Sequence, residues 1–370
     1  MSQPTPGMAG DPVAPCRRWP AEWEPHRATW LSWPHNNSTW PGRLAAVEDA
    51  FCEIVYAILP GEAVEINVAD HEMAERVRAR LRGAAGLVGS GKAELAGIRF
   101  HVVATDDAWI RDHGGVFIVE GEGEHARRRL VDFEFDAWGG KYPPWDRDAK
   151  VACEMARIAD VPRIEPGVVL EPGALDGDGE GTILTTESCL LNSNRTRPGQ
   201  PRSRRALEEL LADTLGAKRV LWLGAGIAGD DTDGHIDDLA RFISPGRVVA
   251  VVESDTADAD FPALAENRRR LGTMCDAAGR RLETIELPTP GVLEGPMGRL
   301  PASYANFYFA NQAVLVPVFG VDADCEALSI LENAIKDRPI VPIPSQNLVL
   351  GLGAVHCLTQ QEPAFSLRQG

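Results

Sequence analysis

One pattern constrains the fold of this chain more than any other. A short apolar stretch runs into a polar or glycine-rich loop, emerges as a second apolar stretch, and is often followed by an amphipathic helix. The stretches are "FHVVATDDAWIRDHGGVFIVEG", "GVVLEPGALDGDGEGTILTTESCLL", "VLWLGAGIAGDDTDGHIDDLARFISPGRVVAVVE", "SYANFYFANQAVLVPVFG" and "IVPIPSQNLVLGLGAVHCLTQQ". Each has β-branched runs bounded by Gly, Pro, Asn or Asp, the chemistry of strands and turns. Between them, Leu44, Val47, Phe51, Ile54, Val55 and Ile58 recur at helical spacing, as do Leu207, Leu210, Leu211 and Leu215 after a Ser203 cap and before Gly216. Leu328, Leu331 and Ile335 mark a third helix. Repeating ββα-type units predict a mixed α/β architecture built around an axis, not a doubly wound sheet. No GxGxxG or P-loop follows a first strand, which speaks against nucleotide chemistry.

Residues 1–15 read as a flexible leader and 16–370 as one domain without an internal linker. Apolar residues make up 44% and charged residues 25%, enough for a real core. No apolar run is long enough to span a bilayer. The seven cysteines are widely and irregularly spaced with no CxxC, which points to reduced thiols and a cytoplasmic location. The net charge of −17 repels nucleic acid and anionic membrane, so a small partner should be neutral or cationic.

Four polar loops carry clustered functional groups. In "TDDAWIRDHGG", Asp106, Asp107, Arg111 and Asp112 surround Trp109, either as a salt-bridged turn or as a carboxylate beside an aromatic wall, suited to a planar cation. In "LEPGALDGDGEGT", Glu171 ends an apolar stretch. Asp176, Asp178, Glu180, Gly181 and Glu187 then match a calcium-loop spacing, but the flanking strands and Pro172 favour a tight hairpin. In "GDDTDGHIDDLARF", Asp230, Asp231, Asp233, His235, Asp237 and Asp238 allow three readings. His235 is a surface histidine, or Asp233, His235 and Asp237 form half of an arginase-like dimetal site, or His235 is a metal-free acid/base with Asp237 binding a cation. In "LGLGAVHCLTQQEP", Cys357 is either a buried small hydrophobe or a thiol at a shaped site, with Gly351 and Gly353 allowing close approach.

The stretches "PAEWEPHRATWLSWPHN", "DDAWIRDHG", "FDAWGGKYPPWDRD", "GTILTTESCLLN", "DGHIDDLARF" and "HCLTQQEP", in this order, resemble the agmatine deiminase family, related to bacterial peptidylarginine deiminases within the guanidine-modifying penteins. The resemblance implies a five-bladed α/β propeller, a cysteine nucleophile, no metal or organic cofactor, and a homodimer or larger assembly. It assigns Asp112 and Asp237 to the guanidinium, Glu171 to the histidine and the guanidinium, and His235 to acid/base work. Cys357 becomes the nucleophile, Asp231 the partner of a distal ammonium, and Trp109 the wall along the alkyl chain. The implied reaction converts agmatine to N-carbamoylputrescine and ammonia through an amidine-thioether on Cys357, with polyamine (putrescine) biosynthesis as its setting. Alternatives are a deiminase or amidinotransferase acting on another guanidine, a metal-dependent ureohydrolase, and a pentein used only for binding. Two departures stand beside site positions: "LEPGA" where the family reads LEGGS, and "GLGAVHC" where it reads GGGNIHC. Pro172, Ala174, Leu352 and Ala354 are therefore expected to shape substrate choice.

Overall fold

A computed structural model describes residues 16–84, 95–197, 199–200, 203–296 and 298–364; the leader assigned to residues 1–15 lies outside them. Its strands form five blades of three or four strands and a small separate hairpin. Four blades share one plan. An antiparallel pair comes first, then a helix, then a strand parallel to the second. Ala240–Ser244, Arg247–Val252, the helix Phe261–Leu271 and Glu283–Pro288 show it. The same order recurs from Val116–Glu120, from Asp176–Gly177 and from Tyr308–Ala310. A parallel neighbour cannot be reached by a tight turn, so each unit needs its helical crossover. The predicted helices occur as Leu44–Ile58, Arg204–Leu215 and Ala323–Ala334. Ser203 Oγ accepts the Ala206 N–H at 3.2 Å, and Gly216 closes the second of them at φ +73°.

The remaining blade closes the ring. The strand Gln360–Pro363 pairs antiparallel with His26–Ser32, which is parallel to Ala63–Val68, itself parallel to Ile98–Val102. Five hydrophobic clusters fill the spaces between sheets and helices. No helix among the described residues is long and apolar enough to cross a membrane. All seven cysteines are free thiols.

One expectation needs correction. The polar loops read as parts of strand–loop–strand units are, in four of the five stretches, not hairpin loops. Ile98–Val102 and Val116–Glu120 belong to different blades, as do Arg219–Leu223 and Ala240–Ser244, and Ile340–Pro344 and Gln360–Pro363. Val169 likewise bridges to Glu134 in one blade before Asp176–Gly177 starts the next. The fourth stretch, Tyr308 to Val318, is a hairpin throughout, whereas the second and third hold one only after the crossover, at residues 176–186 and 240–252. A polar loop between two strands has the same sequence signature whether it folds back or steps to a neighbouring sheet. The consequence is functional: Asp112, Glu171, His235 with Asp237, and Cys357 sit on four different blade-to-blade crossovers.

Candidate active site

The crossovers border a cavity of about 690 Å³ whose wall includes Trp109, Asp112, Trp138, Asp231, Leu352 and Cys357. His235, Glu171 and Asp237 stand immediately behind that wall, all fully buried.

Asp112 lies on the short helix Ile110–His113. Its Oδ1 accepts the Gly173 N–H at 3.2 Å and its Oδ2 the Trp138 indole N–H at 3.0 Å. Gly173 has to be glycine: a Cβ there would lie 2.4 Å from Asp112 Oδ1 and 2.8 Å from His235 Nδ1. Burial pushes the Asp112 carboxyl up to about 7, with the His235 ring opposing and Asp237 and Glu171 reinforcing it. Trp138 reaches Asp112 from a left-handed turn, with φ of +55° at Ala137, +58° at Trp138, +84° at Gly139 and +80° at Gly140. The two residues bearing side chains cost roughly 1–2 kcal/mol each there. Asp136 supports the turn by accepting the Gly139 N–H at 2.8 Å.

His235 Nδ1 is 3.6 Å from Asp112 Oδ1, and its Nε2 is 3.7 Å from Glu171 Oε2. Burial, the largest influence, favours the neutral ring, but Asp112, Cys189 and Glu171 together more than offset it and hold the imidazole well above its ordinary range. Glu171 is less free than expected. Arg195 Nε contacts both its oxygens at 2.8 and 3.0 Å, keeping it ionised against the effect of burial. It touches the histidine as expected, but it does not line the cavity.

Cys357 occupies the turn His356–Leu358. Its Sγ lies 3.2 Å from Asn306 Nδ2 and 3.7 Å from Asp237 Oδ2. Burial first, then the charges of Asp237, Asp238 and Asp112, push the thiol well above its usual range. The glycine-studded approach now has a reason: a Cβ on Gly353 would meet the Trp109 ring at 2.5 Å. Asp237 behaves opposite to Asp112. Burial tends to raise it, but the His356 ring, 2.7 Å from its Oδ2, brings its carboxyl below the usual range. Asp237 Oδ1 is buried with no hydrogen-bond partner.

At the cavity mouth the Tyr142 hydroxyl donates to the Asp231 carboxylate. Lys141 Nζ reaches the Asp231 carbonyl and, at 2.9 Å, Asp233 Oδ2, so this acidic loop already carries one cation. Asp233, His235 and Asp237 do not converge as a metal site. Asp233 is taken by Arg195, Asn194 and Lys141, and Asp237 by His356. Among the described residues, the side chains close enough to share an ion are Glu171, Cys189 and His235, within 4.8 Å, where Arg195 already supplies the positive charge. The calcium-loop spacing is indeed a hairpin: Asp178 Oδ1 accepts the N–H groups of Glu180 and Thr182, both at 2.8 Å. Nor is "TDDAWIRDHGG" a self-contained salt-bridged turn, since Arg111 leaves it for Glu22, 3.2 Å away. Sequence reasoning missed Trp138, Arg195, Asn306 and Glu22, although Trp138 and Glu22 stand in the stretches that carry the resemblance.

Residues 18–363 match the model of the Porphyromonas-type peptidyl-arginine deiminases. The chain is 36% identical to an agmatine deiminase of Ectopseudomonas mendocina, covering 93% of this chain and 95% of the relative. The structure is similar to that of an Enterococcus faecalis agmatine deiminase, with a TM-score of 0.84, 33% identity and coverage of 94% and 96% of the two chains. A substrate-bound variant of the C. jejuni agmatine deiminase matches with a TM-score of 0.81 and 28% identity, covering 94% and 96%. A ring of five blades, a buried thiol among carboxylates and a match over nearly the whole length lead to one assignment: the chain belongs to the Porphyromonas-type peptidyl-arginine deiminase family.

Proposed function

We propose that this chain is an agmatine deiminase, a C–N hydrolase that converts agmatine and water to N-carbamoylputrescine and ammonia. The observation that carries the reading is the pairing of Cys357 with Asp112 and Asp237, two carboxylates on different crossovers around one thiol. Its support is the likeness to agmatine deiminases over nearly the whole chain. Asp112 and Asp237 hold the planar guanidinium by charge-assisted bonds and place its carbon beside Sγ. The surrounding negative charge favours the protonated thiol, so the arriving cation promotes loss of that proton to solvent, and the thiolate then attacks the guanidinium carbon. His235, kept protonated, gives its proton to the departing ammonia; it then takes one from the water that releases the ureido product. Glu171, fixed by Arg195, holds the imidazole in place. Asp231 receives the distal ammonium, and Trp109 lines the alkyl chain.

The test is mass spectrometry of the wild type and Cys357→Ser with agmatine, arginine and a guanidine with a neutral tail. The wild type should release the ureido product from agmatine fastest, and Cys357→Ser should release none. Turnover by Cys357→Ser would remove the covalent route, and a preference for arginine would remove the agmatine assignment.

A further inference from the structure

The reaction above makes no use of His356, although this residue is buried directly beside Cys357. Its Nδ1 stands 2.7 Å from Asp237 Oδ2 and its Nε2 stands 2.9 Å from Glu22 Oε2. Each ring nitrogen thus stands at hydrogen-bond distance from a carboxylate oxygen, and the ring bridges Asp237 and Glu22. Glu22 is firmly held: it accepts the Phe309 N–H at 2.9 Å and pairs with Arg241 at 2.9 Å and Arg111 at 3.2 Å. Arg111 in turn gives hydrogen bonds to Gln360 at 2.8 Å and Gln361 at 2.9 Å. The chain neighbour of Asp112 and the chain neighbour of Cys357 therefore meet on one buried carboxylate. What this leaves open is Asp237 Oδ1, buried and without a hydrogen-bond partner. Buried polar atoms are seldom left so.

We propose that Glu22 and His356 are positioning residues: the ring occupies Asp237 Oδ2 and so presents Oδ1 alone to the cationic group of the substrate, at a fixed spacing from the Cys357 thiol. Neither residue touches the substrate. Both act through Asp237. The proposal rests on the guanidine-hydrolysis reading, and its test keeps the two apart.

The probes are 2-chloroacetamidine and 2-chloroacetamide, which differ in bearing a planar cation or a neutral amide. In both, the Cys357 sulfur bonds to the methylene carbon, chloride leaves and the thiol proton goes to solvent. The quantity read is the ratio of the two inactivation rates, each normalised to its rate with a free small thiol. The wild type should favour the amidine. If it shows no preference, the guanidine-hydrolysis reading itself fails. His356→Gln can still reach toward Glu22 but withdraws the donor from Asp237, so its preference should drop about tenfold or more while the amide rate holds. His356→Asn keeps a donor near the Nδ1 position and should recover part of the preference. A wild-type ratio in His356→Gln would overturn the proposal. Should that variant not fold, Glu22→Gln decides: its preference should drop severalfold, and an unchanged ratio there overturns the proposal equally.

Discussion

Asp112 and Asp237 are the same residue type at similar depth, yet their surroundings treat them in opposite ways. Asp112 is fed by two neutral donors, an indole and a backbone amide, and its carboxyl rises to about 7. Asp237 is fed by an imidazole, itself backed by Glu22, and its carboxyl falls below the usual range. Neutral donors only partly offset the loss of water around a buried charge, whereas at Asp237 the neighbouring His356, His235 and Arg241 together overcome it. On the reading proposed above, the Asp237 arm of the guanidinium fork ionises more readily than a free carboxyl, and the Asp112 arm does so only near pH 7 or when a cation arrives.

The largest effect should come from deleting either arm. Asp112→Ala and Asp237→Ala each leave a cation half-paired, a loss of about 2–5 kcal/mol, so kcat/KM for agmatine should fall by roughly thirtyfold to several thousandfold. A loss of less than about threefold in either variant would remove that residue from the fork. The second effect concerns pH and belongs to Asp112 alone. Its carboxyl must be ionised to bind the cation, so kcat/KM should rise with pH and level off above about 7. Trp138→Phe removes one donor to the ionised form and should move that limb about one pH unit upward. If the limb stays where it is, the indole bond does not tune Asp112. The smallest effect lies at the rim, outside both arms. Leu352 holds φ +70° where the family pattern has glycine. Leu352→Gly relieves about 1 kcal/mol of backbone strain, offset by a similar gain in unfolded-state freedom. Tm should therefore move by less than about 2 °C, with the pH limb unchanged. A larger fall would mean that the packing of its half-buried side chain against the neighbouring apolar cluster outweighs the strain.

The same contrast separates what the sequence displays from what it conceals. Cys357, His235, Asp112 and Asp237 lie in loops with local signals, such as glycines, clustered charge and a neighbouring aromatic, and the structure brings all four together. The strands and the helical stripes were equally legible, because burial imprints its period on every few residues. The destination of each polar loop was not, since a turn and a step to the next blade use the same residues. The supports of the buried site carboxylates and of His356 were hidden for a related reason. Glu22 is 334 residues from His356, and Arg195 is 24 from Glu171, with no periodicity linking either pair. Lys141 shows the converse: a residue in a quoted stretch whose reach to the acidic loop is visible only in three dimensions.

The strand that shuts the ring also sets an order of events in time. Trp30 donates its indole N–H to Glu362 across 332 residues, and the neighbouring ladder joins Gln360 to Trp30. Contacts of such separation form late, because the loop they close is nearly the entire polypeptide. During synthesis every carboxylate of the fork leaves the ribosome well before the thiol does, and that thiol gains its surroundings only when the last blade docks on the first. If Cys357 is the nucleophile proposed above, a chain whose first and last strands have not met holds the proposed acids but no fully placed thiol.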